Sequence, residues 1–277
     1  TWAWEFATDV VGLSADKILI TVHPSDDDSR KIWRDKVGIK PDRIIDLEEN
    51  FWTMGDTGPC GPCTELFYDH GPSIAGGPPG SADEDGDRFI EFQNLVFPQF
   101  DRLADGEMIS LPQAGVDTGM GLERMAAILQ GVHSNYEIDL FRKVMMEAGN
   151  FAGITKEEQV LGTASLRVIA DHIRSSVFLI ADGITPGNED RAYVLRRIIR
   201  RALRHGYKLN IREPFFHKLV KVLVAEMGEA YPLLAQHEQA VTTAIAQEED
   251  RFSETLSQGM ELLKGELDQV SGDTLPG

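Results

Sequence analysis

Cysteine is nearly absent: two in 277 residues, both within Cys60-Gly61-Pro62-Cys63. That excludes a disulfide-stapled secreted scaffold and fits a reducing compartment, so the cytoplasm is the expected location. Long hydrophobic runs are missing too. The most apolar stretch, Val177-Phe178-Leu179-Ile180-Ala181, falls far short of the roughly 20 residues a spanning helix needs, so no membrane partner is expected. Positive charge is scarce: 27 Lys and Arg stand against 45 Asp and Glu, a formal net charge of −18. Such a chain repels polyanions unless its basic residues are gathered in one place. The opening residues Thr1-Trp2-Ala3-Trp4-Glu5 carry neither a starting Met nor a signal or transit pattern. The sequence is therefore expected to be a piece of a longer chain.

What remains is an ordinary globular composition, 42% hydrophobic and 26% charged, which excludes global disorder and collagen. The length suits about two domains. The first, expected over residues 1–155, reads as mixed α and β. Strands are predicted at 17–22, 43–47, 64–69 and 88–100, and a helix at 27–37 closed by Gly38. Residues 101–111 read as a hairpin turning at Asp105-Gly106. Short connections favour antiparallel pairing. Residues 71–87, rich in Gly, Pro, Asp and Ser, read as a surface loop. The second domain, 156–277, reads as helical throughout. Helices are predicted around 166–181, 193–206 and 214–227. A long one over 235–270 carries a stripe of Val241, Ile245, Phe252, Leu256, Leu263, Leu267 and Val270.

Four constellations could carry chemistry. In Asp117-Thr118-Gly119-Met120-Gly121-Leu122-Glu123-Arg124, two glycines open a helix and a guanidinium lies in its first turn. Glycine allows close backbone approach, the helix start offers free N–H groups, and Arg supplies a planar donor fork, all suited to phosphate. Residues 51–65 hold several Gly and Pro and read as a rigid loop presenting Trp52, Asp56 and Glu65. Cys60, Cys63 and His70 within and after it resemble a zinc spacing, but Ser73 is a poor fourth ligand. A buried Cys pair is the simpler expectation, and no metal site is assigned.

On a strand over 88–97, strict alternation puts Glu91, Gln93 and Leu95 on one face and Phe92, Asn94 and Val96 on the other. Asn94 is then a polar group on an apolar side and needs a partner. Residues 189–208 carry seven Lys or Arg against two acids. Arg196, Arg200 and Arg204 fall at i, i+4 and i+8, beside Arg197 and Arg201. This ridge, with Arg191 at its head, suits a nucleic-acid backbone. Asn188 in the preceding loop could reach a base edge in a groove.

Four segments together resemble the alanyl-tRNA synthetase family of class II aminoacyl-tRNA synthetases. They are 55–65, 117–124 (similar to motif 3 of that class), 166–174 and 193–202. The resemblance covers essentially the whole chain. It implies an α+β fold: part of an antiparallel catalytic sheet, followed by an all-α domain that recognises tRNA.

It further implies ATP-dependent activation of alanine and transfer of the alanyl group to tRNA(Ala), with ATP, alanine and tRNA as partners and Mg²⁺ bridging phosphate oxygens. By position, Arg124 clamps the γ-phosphate with Gly121 beside it, and Asp117 pairs with the alanine ammonium. Trp52, Asn94 and Gly119 line the alanine pocket. Glu65 and Glu91 are candidates for metal or adenine-side contacts. Asn188 matches the reader of a G·U wobble pair in the acceptor stem, with Arg191, Arg196, Arg197, Arg200, Arg201 and Arg204 on the phosphates beside it. The family's motifs 1 and 2, and its editing domain with its zinc site, lie outside this sequence. The alternative is therefore a tRNA-binding module without catalysis.

Overall fold

A computed structural model describes residues 1–267. The chain divides into two compact units, Thr1–Ile138 and Asp139–Gly277. The first holds eight strands. β1 (Ile18–Val22), β2 (Ile44–Asp46), β4 (Gly58–Asp69), β5 (Phe89–Val96) and β8 (Asp117–Met120) form one sheet in the order β2-β1-β4-β5-β8. The short strands β3 (Phe51–Thr53), β6 (Phe100–Arg102) and β7 (Met108–Ser110) extend the start of β4 into a second patch.

Pairing is antiparallel throughout except between β1 and β2, which run parallel. The expectation of purely antiparallel pairing fails there because α2 (Asp27–Lys31) and the wider helical turns to Val37 bridge the two strands. A helical crossover is what a parallel pair requires. Asp26 caps α2 by accepting from the Ser29 N–H at 3.0 Å. Gly38 ends the helical run at φ +86°, a conformation that favours glycine.

Two further expectations are corrected, and a third holds. Residues 51–65 are not a rigid loop. Only residues 54–57 turn, and β3 and β4 form a hairpin around them. The Gly and Pro residues sit in a strand, and at Gly61 a Cβ would stand 2.1 Å from the Phe97 carbonyl oxygen. The strand expected over 88–100 is broken, because Pro98 brings no N–H to the ladder. The hairpin about Gly106 forms as β6 and β7, with φ +87° at that glycine.

The core of this unit lies on one face of the sheet. Ile18, Ile20, Val22, Leu66 and Phe92 pack there with Trp33, Met125 and Ile128. α1 (Trp2–Glu5) and the turns after it contribute Ala7, and α3 (Leu122–Gln130) contributes Met125 and Ile128. The buried Trp33 Nε1 donates to Thr64 Oγ1 at 2.9 Å, and that hydroxyl donates onward to the Thr21 carbonyl at 2.6 Å.

In the second unit, every regular element among the described residues is helical. They are α4 (Asp139–Phe151), α5 (Glu157–Gly162), α6 (Ala164–Ala181), α7 (Asp190–Lys208), α8 (Leu219–Met227) and α9 (Pro232–Leu267), with a single 3₁₀ turn before α8. α4 packs on α6 and α8 within the second unit. Leu166, Ile169, Ile173, Leu195, Ile199, Phe216, Leu219, Val241 and Ile245 make the core.

The long helix appears as expected, but its apolar stripe is buried only in its first half. Leu263 and Leu267 are exposed, and Val270 lies outside the described residues. Two acids of α9, Glu248 and Glu249, are buried instead. Glu249 accepts from the backbone N–H groups of Phe215 at 2.7 Å and Phe216 at 2.9 Å, and its other oxygen lies 2.7 Å from His217 Nδ1. It thereby caps the turn leading into α8. Glu249→Ala strands these buried donors and should lower unfolding free energy by on the order of 2–4 kcal/mol. Glu249→Gln, which keeps one acceptor, should cost clearly less in the same urea titration.

Candidate functional site

The polar face of the sheet is set by one irregularity. Along β4 and β5, Cys63 lies opposite Val96, Glu65 opposite Asn94 and Leu66 opposite Gln93. The next pair is Phe67 with Glu91, so Phe92 is an extra residue. Such a bulge breaks strict alternation. Phe92 stays in the core beside Leu66, and Glu91 and Asn94, three apart, come to the same side. Alternation had put Asn94 with Phe92 on an apolar face. The bulge instead sets it opposite Glu65, and Asn94 Nδ2 donates to Glu65 Oε1 at 3.2 Å.

Glu65 is held from both neighbouring strands. Its second oxygen accepts from Thr21 Oγ1 at 3.1 Å, and Asn50 Nδ2 donates to that same hydroxyl at 2.9 Å. Burial pushes the Glu65 carboxyl above its usual range, and the nearby Glu91 pushes the same way. The Thr21 and Asn50 hydrogen bonds and Arg124 oppose them. Burial, then Glu65, also drives the Cys63 thiol up to about 12, so it stays protonated and unreactive at neutral pH.

Arg124 lies in the first turn of α3. Its Nη1 donates to the Glu91 carbonyl at 2.7 Å and to Glu91 Oε2 at 3.1 Å. The adjacent Phe92 carbonyl accepts from the Gly121 N–H at 3.1 Å. Arg124 is thus in an internal ion pair, yet its side chain keeps 39% of its exposure. Gly121 caps α3, and a Cβ there would meet the Arg124 stem at 3.0–3.2 Å. Its role here is to let that side chain fold back toward Glu91. On β8, Gly119 lies opposite Asn94 and Asp117 opposite Val96. A Cβ at Gly119 would meet nothing within 4 Å, and Asp117 is exposed. Trp52, half-buried, lies opposite Gly61.

The zinc alternative does not assemble. Cys60 and Cys63, an odd spacing apart on β4, point to opposite faces. Cys60 Sγ sits 3.9 Å from Met108 Sδ, and the His70 ring packs edge-on against Tyr68. Among the described residues no group of three or more His, Cys, Asp or Glu is arranged to hold a metal.

In the second unit the arginine ridge of α7 divides into two stripes. Arg196 and Arg200 turn inward to Glu248, which is 1% exposed. Their Nε atoms lie 3.2 and 2.7 Å from Oε1. Arg191, Arg197, Arg201 and Arg204 are exposed. Arg197, Arg201 and Arg204, with Arg200, Val194, Ile198, His172 and Phe252, line a groove of about 480 Å³. Asn188 is exposed in the loop before α7, and its Oδ1 accepts from Arg196 Nη1. Thr21, Asn50 and Glu248 were not singled out from sequence. Among the described residues no helix is long and apolar enough to cross a membrane.

The profile of the family "tRNA synthetases class II (A)" matches residues 1–277. The chain belongs to the class II tRNA synthetases. Curated relatives of this synthetase chain include the alanine–tRNA ligase of Chromohalobacter salexigens, 57% identical over the whole chain and 32% of the relative. That of Methylococcus capsulatus is 55% identical over 99% of the chain and 32% of the relative. That of Stenotrophomonas maltophilia is 56% identical over the whole chain and 32% of the relative. The synthetase chain thus spans about a third of the length of the relatives it matches.

The raised Glu65 carboxyl makes a signed prediction. A folded-state pKa above the unfolded one favours folding at low pH, and that advantage is lost as pH rises through the folded pKa. Glu65→Gln removes the charge. Its unfolding midpoint relative to wild type should therefore be higher at pH 7 than at pH 4, as thermal denaturation at the two pH values will show.

Proposed function

We propose that the protein containing this chain is an alanine–tRNA ligase. It joins alanine to ATP as alanyl-adenylate and then passes the alanyl group to tRNA(Ala), in the cytoplasm. The observation that carries this reading is the polar face on which the Phe92 bulge gathers Glu65, Asn94, Glu91 and Arg124 beside Asp117 and Gly119. The relatives' names support alanine as the amino acid.

In this reading the alanine carboxylate attacks the α-phosphorus and pyrophosphate leaves. The terminal tRNA hydroxyl then attacks the activated carbonyl, and AMP leaves. Asp117, exposed on β8, pairs with the alanine ammonium. Asn94 has its amide fixed by Glu65, and with Trp52 and the open space at Gly119 it frames the methyl pocket. Arg124 takes the γ-phosphate. Its pair with Glu91 holds the guanidinium at the helix start until the nucleotide arrives, so most of the catalysis is positioning and charge stabilisation.

Mg²⁺ takes most of its ligands from phosphates and water and only one or two carboxylates from protein. Glu91, partly exposed, fits that role better than Glu65, whose two oxygens are engaged by Asn94 and Thr21. The ion would neutralise phosphate charge. In the helical unit, Arg191, Arg197, Arg201 and Arg204 suit tRNA phosphates, whereas Arg196 and Arg200 are tied to Glu248. Asn188 reads the wobble pair.

Two measurements test the reading in the full-length protein. Arg124→Ala should raise the KM for ATP in pyrophosphate exchange by about tenfold or more, the effect of one lost charged hydrogen bond. The KM for alanine should stay near wild type, and unchanged ATP kinetics would overturn the phosphate role. Arg201→Ala should weaken tRNA binding and lower the slope of log affinity against log salt by about one.

A further inference from the structure

Glu248 is an acid where none is expected, on the stripe of α9 that buries Val241 and Ile245. A carboxylate that deep persists only with close cationic partners. Its partners, both at Oε1, are the Nε of Arg200, which donates a hydrogen bond at 2.7 Å, and the Nε of Arg196, which makes an ion-pair contact at 3.2 Å without a hydrogen bond. Oε2 is buried with no hydrogen-bond partner among the described residues. Arg196 is itself only 16% exposed and uses two edges of its guanidinium. Nε faces Glu248, and Nη1 donates to Oδ1 of the exposed Asn188.

The chemistry of these groups fixes which way the Asn188 amide points. A guanidinium has five donors and no acceptor. The amide oxygen must therefore face Arg196, and the NH₂ group faces away from it. Asn188 is exposed in the loop just before α7.

We propose that Glu248 is a positioning residue for tRNA discrimination. By holding the Arg196 plane, it sets the Asn188 amide with its NH₂ outward, so that Asn188 reads an acceptor atom on a base edge. This rests on the reading of Asn188 as a contact to the acceptor stem. Lys cannot replace Arg196 in this chain, because a single ammonium lacks the rigid fork that spans Glu248 and Asn188 at once.

The test compares aminoacylation kcat/KM, in the full-length protein, for tRNA bearing the G·U wobble pair and for the same tRNA with G·C in its place. Glu248→Gln and Arg196→Lys should each reduce that ratio by roughly tenfold, the loss from one misplaced polar contact. Asn188→Ala should bring it close to one, and Glu248→Gln added to Asn188→Ala should change it no further. Glu249→Gln, which perturbs α9 one residue away without facing the arginines, should keep the ratio. If Asn188→Ala collapses the ratio but Glu248→Gln leaves it whole, the positioning role is overturned and the base reading stands. If Asn188→Ala leaves the ratio whole, the base reading itself falls. If Glu249→Gln lowers the ratio as much as Glu248→Gln, loosening of the helix is the cause and the positioning role is overturned.

Discussion

A carboxylate drawn partly out of water organises the polar face of the first unit. Glu65 sits in the middle of the longest strand, and desolvation there disfavours its charge. Donors supplied from the strands on either side, Thr21 and Asn94, make the position tenable. Glu91 adds a second acid nearby, and Arg124 answers it. Each of these side chains is placed by its relation to the others, so the loss of one donor would leave a buried acceptor with nothing in return. The face is rigid for the same reason that it is costly, and rigidity is what a site acting by positioning needs.

The helical unit solves a similar problem in a different way. On a chain with a net charge of −18, a cationic helix has many carboxylates to choose from. The structure spends one deeply buried acid on two of its arginines and leaves the others facing out. The inward pair anchors α7 to α9, and the outward residues keep their charge available. A ridge of uniform appearance in sequence thus has two physical functions.

Much of this was legible in the sequence. Strand β1, helix α2 with Gly38 at its end, the hairpin at Gly106, and helices α6, α7 and α8 follow from periodicity and turn chemistry. The helix start behind Gly121 could be placed from sequence, but strand β8, which takes Gly119, could not. The parallel pairing of β1 with β2 could not, because pairing direction depends on where the intervening helix packs. The common face of Glu91 and Asn94 was hidden because a bulge has no side-chain signature at Phe92.

Glu248 was in principle visible. It stands seven residues after Val241 and three after Ile245, in phase with the buried stripe. Its setting in Glu248-Glu249-Asp250 reads as a solvated charge run, and the assumption that charge lies outside masked the phase.

The offset at Phe92 is an insertion that the site tolerates, since the pairs on either side of it stay in register. Another apolar group in place of the Phe92 ring would disturb the packing below the sheet but leave Asn94 level with Glu65 and Glu91 with Phe67. Deleting that single residue would close the bulge: Glu91, then two positions from Asn94, would keep its side of the sheet and its place opposite Phe67, while the ring below the sheet and the carbonyl that accepts from the Gly121 N–H would be lost. One strand thereby buries an aromatic ring beneath the sheet without parting the two polar side chains above it.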